Sequence, residues 1–105
     1  MGKKEVKKEI IDFLQKVKEK FEPEKVILFG SRAKGEYLKH SDYDFIIVSK
    51  KFEGMNFLKR MEKVYELWDK DVPMDVLCYT PKEFEKKRKE IGIVREALKK
   101  GVELK

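Results

Sequence analysis

The chain has 105 residues, enough for one hydrophobic core and one domain over residues 1–105 but not for two. Charged residues make up 44% of it, yet 41% are hydrophobic and 11% aromatic, and the apolar ones fall in ordered runs, which excludes a disordered chain. The net charge of +6 favours anionic partners such as nucleotides, RNA or an acidic protein.

From Lys3 to Phe21, apolar residues recur at helical spacing (Val6, Ile10, Phe13, Leu14, Val17, Phe21), which predicts an amphipathic helix ended by Pro23. Val26-Ile27-Leu28-Phe29 is a short continuous apolar run, as in a strand covered on both faces. Gly30 and Ser31 stop it, and Ser31 can cap a short helix within 32–39. Phe45–Val48 predicts a second buried strand, and 50–54 a turn. Met55, Leu58, Met61, Val64, Tyr65 and Trp68 form a second helical stripe. Val72 to Tyr79 predicts a third strand, with Pro73 near its start, where a proline does least harm. Thr80-Pro81 has the pattern of a helix start, with Thr80 as N-cap and Pro81 in the first position. Phe84, Ile91, Val94 and Leu98 continue a helical face to Lys100, with Gly92 as a break and Gly101 as a stop.

This order predicts a small α/β domain with a mixed three-stranded sheet flanked by helices. The short connection between the first two strands permits an antiparallel pair. The helical connection between the second and third favours a parallel crossover.

Chemistry concentrates at two places. Asp42 and Asp44 are two residues apart at the start of a strand, so both carboxylates face one side while Tyr43 faces the other. Parallel pairing of the second and third strands brings Asp75 beside them. Three converging carboxylates repel one another, and a bound Mg²⁺ relieves that repulsion. Ser and Asp are also ordinary turn residues, and a lone Asp suits an edge strand. The joint pattern, with Gly30-Ser31 upstream and ten residues between Ser31 and Asp42, argues for more. At Gly30 a phosphate can approach the backbone, Ser31 offers a hydroxyl, and Arg32 and Lys34 add positive charge.

Other features have plainer readings. His40, the only histidine, fits a solvated loop. The single Cys78 lies in an apolar run, as a buried thiol in a reducing compartment. Residues 82–100 hold eight Lys/Arg against four Glu, interleaved as on a solvated helix rather than an RNA-binding face. No apolar run approaches the ~20 residues of a membrane span, and the N-terminus is Lys/Glu-rich without an apolar signal segment, so a cytoplasmic protein is expected.

The string GSRAKGEYLKHSDYDFIIV resembles the signature of the DNA-polymerase-β-like nucleotidyltransferase superfamily, and more narrowly its minimal nucleotidyltransferase branch, which includes MntA-type antitoxins. The resemblance extends from Val26 to the closing Gly101-Val102-Glu103-Leu104. It implies that Asp42, Asp44 and Asp75 ligate Mg²⁺, two ions in all, and that Gly30 and Ser31 hold the triphosphate of ATP. It further implies a helical HEPN-domain toxin as partner, silenced by AMP transfer to one of its tyrosines. Two alternatives stand beside this: an antitoxin that neutralises its partner by binding alone, and nucleotidyl transfer to a small molecule. A basic RNA-binding protein is a third class.

Overall fold

The computed structural model describes residues 3–34 and 41–105, with the backbone alone for 3–7. Helix α1 (Lys3–Phe21) is interrupted at Ile10 and buries Ile10, Phe13, Val17 and Phe21, which recur every three or four residues. It ends where Glu22 takes the left-handed conformation (φ 44°) just before Pro23. Strand β1 (Lys25–Phe29) leads into the short helix α2 (Ser31–Lys34). The rest of the stretch 32–39, within which a short helix is expected, and His40 lie outside the described residues.

Strand β2 (Tyr43–Val48) is followed by a 3-10 turn at Lys50–Phe52, helix α3 (Phe57–Tyr65) and strand β3 (Met74–Tyr79). Pro73 precedes β3, and its carbonyl accepts from the Tyr43 amide at 3.0 Å, so the parallel ladder starts at the proline. Thr80 caps helix α4 (Pro81–Lys87) through a complete capping box with Glu83. Gly92 separates α4 from α5 (Ile93–Lys100), as its position predicted.

The sheet has four strands in the order β3-β2-β1-β4, one more than the sequence suggested. The added strand, β4 (Val102–Glu103), is too short to show any alternation of polar and apolar residues. Backbone bonds hold it on β1: the Leu104 amide donates to the Val26 carbonyl at 2.7 Å, and the Val26 amide to the Lys105 carbonyl at 3.1 Å. The buried Leu104 side chain adds apolar contact. Strands β1 and β2 pair antiparallel and β2 and β3 parallel, as expected.

Each sheet face has its own core. One face (Val26, Leu28, Tyr43, Phe45, Ile47, Met74, Val76, Cys78) packs on α1 and on Val64 of α3. The other (Ile27, Ile46, Val48, Tyr79) packs on Phe84 of α4 and on Val94 and Ala97 of α5. Because β2 is covered on both sides, Phe45, Ile46, Ile47 and Val48 are all buried, which is why that stretch carries no alternation.

Two helical stripes are corrected. Leu58 is 66% exposed, and the inward position on α3 belongs to Arg60. Arg60 donates to the carbonyls of Met55 (2.9 Å) and Cys78 (3.0 Å) and to both carboxylate oxygens of Glu83 (2.6 and 3.2 Å). Every donor direction of this buried guanidinium that these contacts use ends on oxygen, so burial is tolerable without an apolar side chain. Ile91 is 92% exposed, because the chain between α4 and α5 leaves the helical path before reaching it. Among the described residues, no helix is long and apolar enough to cross a membrane.

Candidate active site

Antiparallel pairing places the C-terminal end of β1 beside the N-terminal end of β2, with Phe29 opposite Asp44. Parallel pairing places the start of β3 beside the start of β2, with Asp44 opposite Asp75. Residues in register on neighbouring strands face the same side of a sheet, so Asp44 and Asp75 share a face. This is the face covered farther along by α4 and α5. The Gly30-Ser31 turn, the Asp42–Asp44 pair and Asp75 therefore meet at one end of the sheet, beyond the helices.

Asp42 and Asp75 are exposed and Asp44 is half-buried, as befits the rim of a sheet. The Asp44 carboxyl is pushed above the ordinary 3.8, first by burial and then by the negative charges of Asp75 and Asp42. The aspartates thus act on one another electrostatically. Among the described residues, however, no three His, Cys, Asp or Glu side chains gather closely enough around one point to hold a metal ion. The donor chemistry, hard carboxylate oxygens on a shared and exposed face, fits Mg²⁺, which keeps several waters and needs only one or two protein carboxylates beside a nucleotide's phosphates.

Gly30 has a more specific place than the sequence suggested. Its φ is +78°, a conformation other residues rarely adopt. A Cβ at this position would stand 2.5 Å from Oδ2 of Asp44. The space opened by the missing side chain is therefore occupied by a carboxylate of the acidic cluster itself. The turn and the acids are one packed unit, closed by a 3.2 Å bond from the Ala33 amide to the Gly30 carbonyl.

Ser31 and Lys34 are exposed at the two ends of α2. Arg32 is different. Expected beside a phosphate, its side chain is buried, with the guanidinium 4.4 Å from the centre of the Tyr43 ring. Tyr43 belongs to the face opposite Asp44, so this arginine lies behind the sheet from the acids. No spacing or residue type signals this, because basic residues near a Gly-Ser turn look alike until the turn's direction is known. Sequence reasoning also missed Tyr65 at the end of α3, whose hydroxyl pKa is raised by burial and then by the charge of Asp75. Helical spacing marked Tyr65 as a core residue, but it is 36% exposed.

Comparison with known proteins supplies the family. The model of the nucleotidyltransferase domain matches residues 10–102. The chain belongs to the nucleotidyltransferase domain family. The match includes the Gly-Ser turn, all three aspartates and Val102 of β4. Among solved structures, a candidate nucleotidyltransferase from Sulfolobus solfataricus is 28% identical with a TM-score of 0.63, covering 98% of this chain and 87% of that one. A second candidate nucleotidyltransferase is 28% identical with a TM-score of 0.54, covering 93% and 96%. BolA1 from Arabidopsis thaliana is also similar, at 28% identity and a TM-score of 0.56, over 68% of this chain and 89% of that one. No curated protein matches the chain.

Proposed function

We propose that this nucleotidyltransferase domain moves AMP from ATP to a hydroxyl group of a protein partner, a tyrosine of a helical HEPN-type toxin, and so acts as an antitoxin. The observation that carries the chemistry is the register of Asp44 against Asp75, with Gly30 packed on the Asp44 carboxylate. The AMP donor, the partner and the antitoxin role rest on the sequence resemblance.

Asp42 and Asp44 would hold Mg²⁺ on the triphosphate, and Asp75 an ion at the acceptor. When bound, the metal supplies charge neutralisation and lowers the pKa of the attacking hydroxyl. Ser31 and Lys34 contact the triphosphate from the exposed rim of the turn. The acceptor oxygen forms a bond to the α-phosphorus as the bond to the bridging oxygen breaks, releasing pyrophosphate. Asp75, exposed at the start of β3, receives the hydroxyl proton. Positioning and electrostatics supply most of the rate, with no covalent enzyme intermediate.

The test is to incubate the protein with ATP, Mg²⁺ and a helical partner encoded beside it, then to weigh the intact products. Wild type should add AMP to the partner, and Asp44→Asn should not, at unchanged fold. Neutralisation of the partner by Asp42→Asn/Asp44→Asn with no mass gained would show binding alone to be the function. Mass gained by that double variant would end the metal-carboxylate mechanism.

A further inference from the structure

Behind the acidic face lies a polar network that joins the pieces of the candidate site. Arg32 Nε donates to the Ser41 carbonyl at 3.0 Å. Its Nη1 stands 3.8 Å from Oε2 of Glu9 on α1. The guanidinium carbon stands 4.4 Å from the centre of the Tyr43 ring, and the Tyr43 hydroxyl donates to the same Glu9 oxygen at 2.5 Å. The Arg32 side chain is only 7% exposed, whereas that of Glu9 is 44% exposed. Burying a guanidinium against a partner still in water is a poor exchange for stability alone.

The partners are those that control the backbone of the acids. Ser41 and Tyr43 are the residues on either side of Asp42, and Tyr43 separates Asp42 from Asp44. Arg32 is two residues beyond Gly30, which itself touches Asp44. One side chain thus links the Gly-Ser turn to the carbonyl just before Asp42. Lysine cannot take this part, because it has neither a flat face for the ring nor a donor held at fixed angle to a second one.

Resting on the nucleotidyltransferase reading above, we propose that Arg32, backed by Glu9 and Tyr43, is a positioning residue that sets the spacing of Asp42 and Asp44 for the divalent ion, and is not a ligand of the triphosphate. The two roles separate in a binding experiment. Mn²⁺ binding to the full chain is followed by the electron paramagnetic resonance signal of the free ion, with α,β-methylene-ATP present. Nucleotide affinity is measured separately at saturating Mn²⁺.

Arg32→Lys should weaken Mn²⁺ roughly 10-fold or more, as loss of a group that orients metal ligands does, and leave nucleotide affinity at saturating Mn²⁺ at the wild-type value. Tyr43→Phe keeps the ring beside Arg32 and removes the hydroxyl that donates to Glu9. It should weaken Mn²⁺ less, and the double variant should lose less than the two single losses combined. If Arg32→Lys does not fold, Tyr43→Phe and Glu9→Gln carry the same test. Wild-type Mn²⁺ affinity in folded variants overturns the inference. So does a loss of nucleotide affinity at saturating Mn²⁺ in Arg32→Lys, which would make Arg32 a phosphate contact. Failure of wild type itself to bind Mn²⁺ overturns the nucleotidyltransferase reading, and this proposal with it.

Discussion

A single added methyl group at residue 30 probes how the turn and the acids are joined. In Gly30→Ala, φ of +78° costs about 1–2 kcal/mol in the folded state. The new Cβ would also stand 2.5 Å from Oδ2 and 3.4 Å from Cγ of Asp44. The carboxylate is the far end of a side chain, so it rotates away, at about 0.5–1.5 kcal/mol if it leaves its rotamer well. Alanine also stiffens the unfolded chain, which offsets about 0.4–1 kcal/mol. The net loss is about 1–2 kcal/mol, or a fall in Tm of roughly 5–15 °C for a domain of this size. Thermal unfolding by circular dichroism reads it. The decisive arm is the double variant Gly30→Ala/Asp44→Ala, in which no carboxylate is left to displace. The cost of the methyl group should shrink there by the rotamer component, leaving the backbone component. Additive losses, within about 0.3 kcal/mol, would show that Gly30 and Asp44 do not meet in the folded protein.

Three further outcomes follow from the same structure. Arg60 donates to the Glu83 carboxylate and holds its pKa below the ordinary 4.5. A depressed acid contributes stability above its unfolded pKa that is lost as pH falls through the folded value; Glu83→Gln should therefore flatten the acid limb below about pH 4.5, with a loss at neutral pH of about 1 kcal/mol after solvent screening of this partly exposed group, checked by urea unfolding from pH 7 to 2. Burial pushes the Cys78 thiol up to about 12, so it should resist alkylation by iodoacetamide at pH 8 in the native state and react at once in guanidinium. Leu104→Ala removes the apolar anchor of β4 and should cost about 2–3 kcal/mol in urea unfolding; an unchanged midpoint would mean that the backbone bonds to Val26 hold β4 without it.

The acids show how far sequence reaches into the site. Sequence put Asp44 at the start of β2 with Asp42 just before it, and the connection lengths set the antiparallel and parallel pairings that bring Gly30 and Asp75 to Asp44. These inferences need only the period of a strand and the reach of a connection. Arg32 lay beyond them. Its charge suited the phosphate side, and only the direction in which α2 leaves the turn sends it to the Tyr43 side. Leu58 and Ile91 failed in the same manner, since helical spacing names a stripe but not the element that covers it.

The linear chain by itself determined the helices, the three long strands, the buried character of β2 and the identity of the acidic residues, because local periodicity and turn chemistry act within a few residues. Tertiary structure decided the fourth strand, the use of Gly30 as the resting place of the Asp44 carboxylate, and the side of the sheet on which Arg32 lies. Each of these depends on contacts between segments distant in sequence or on the direction of a turn, and neither leaves a mark in the spacing of residues along the chain.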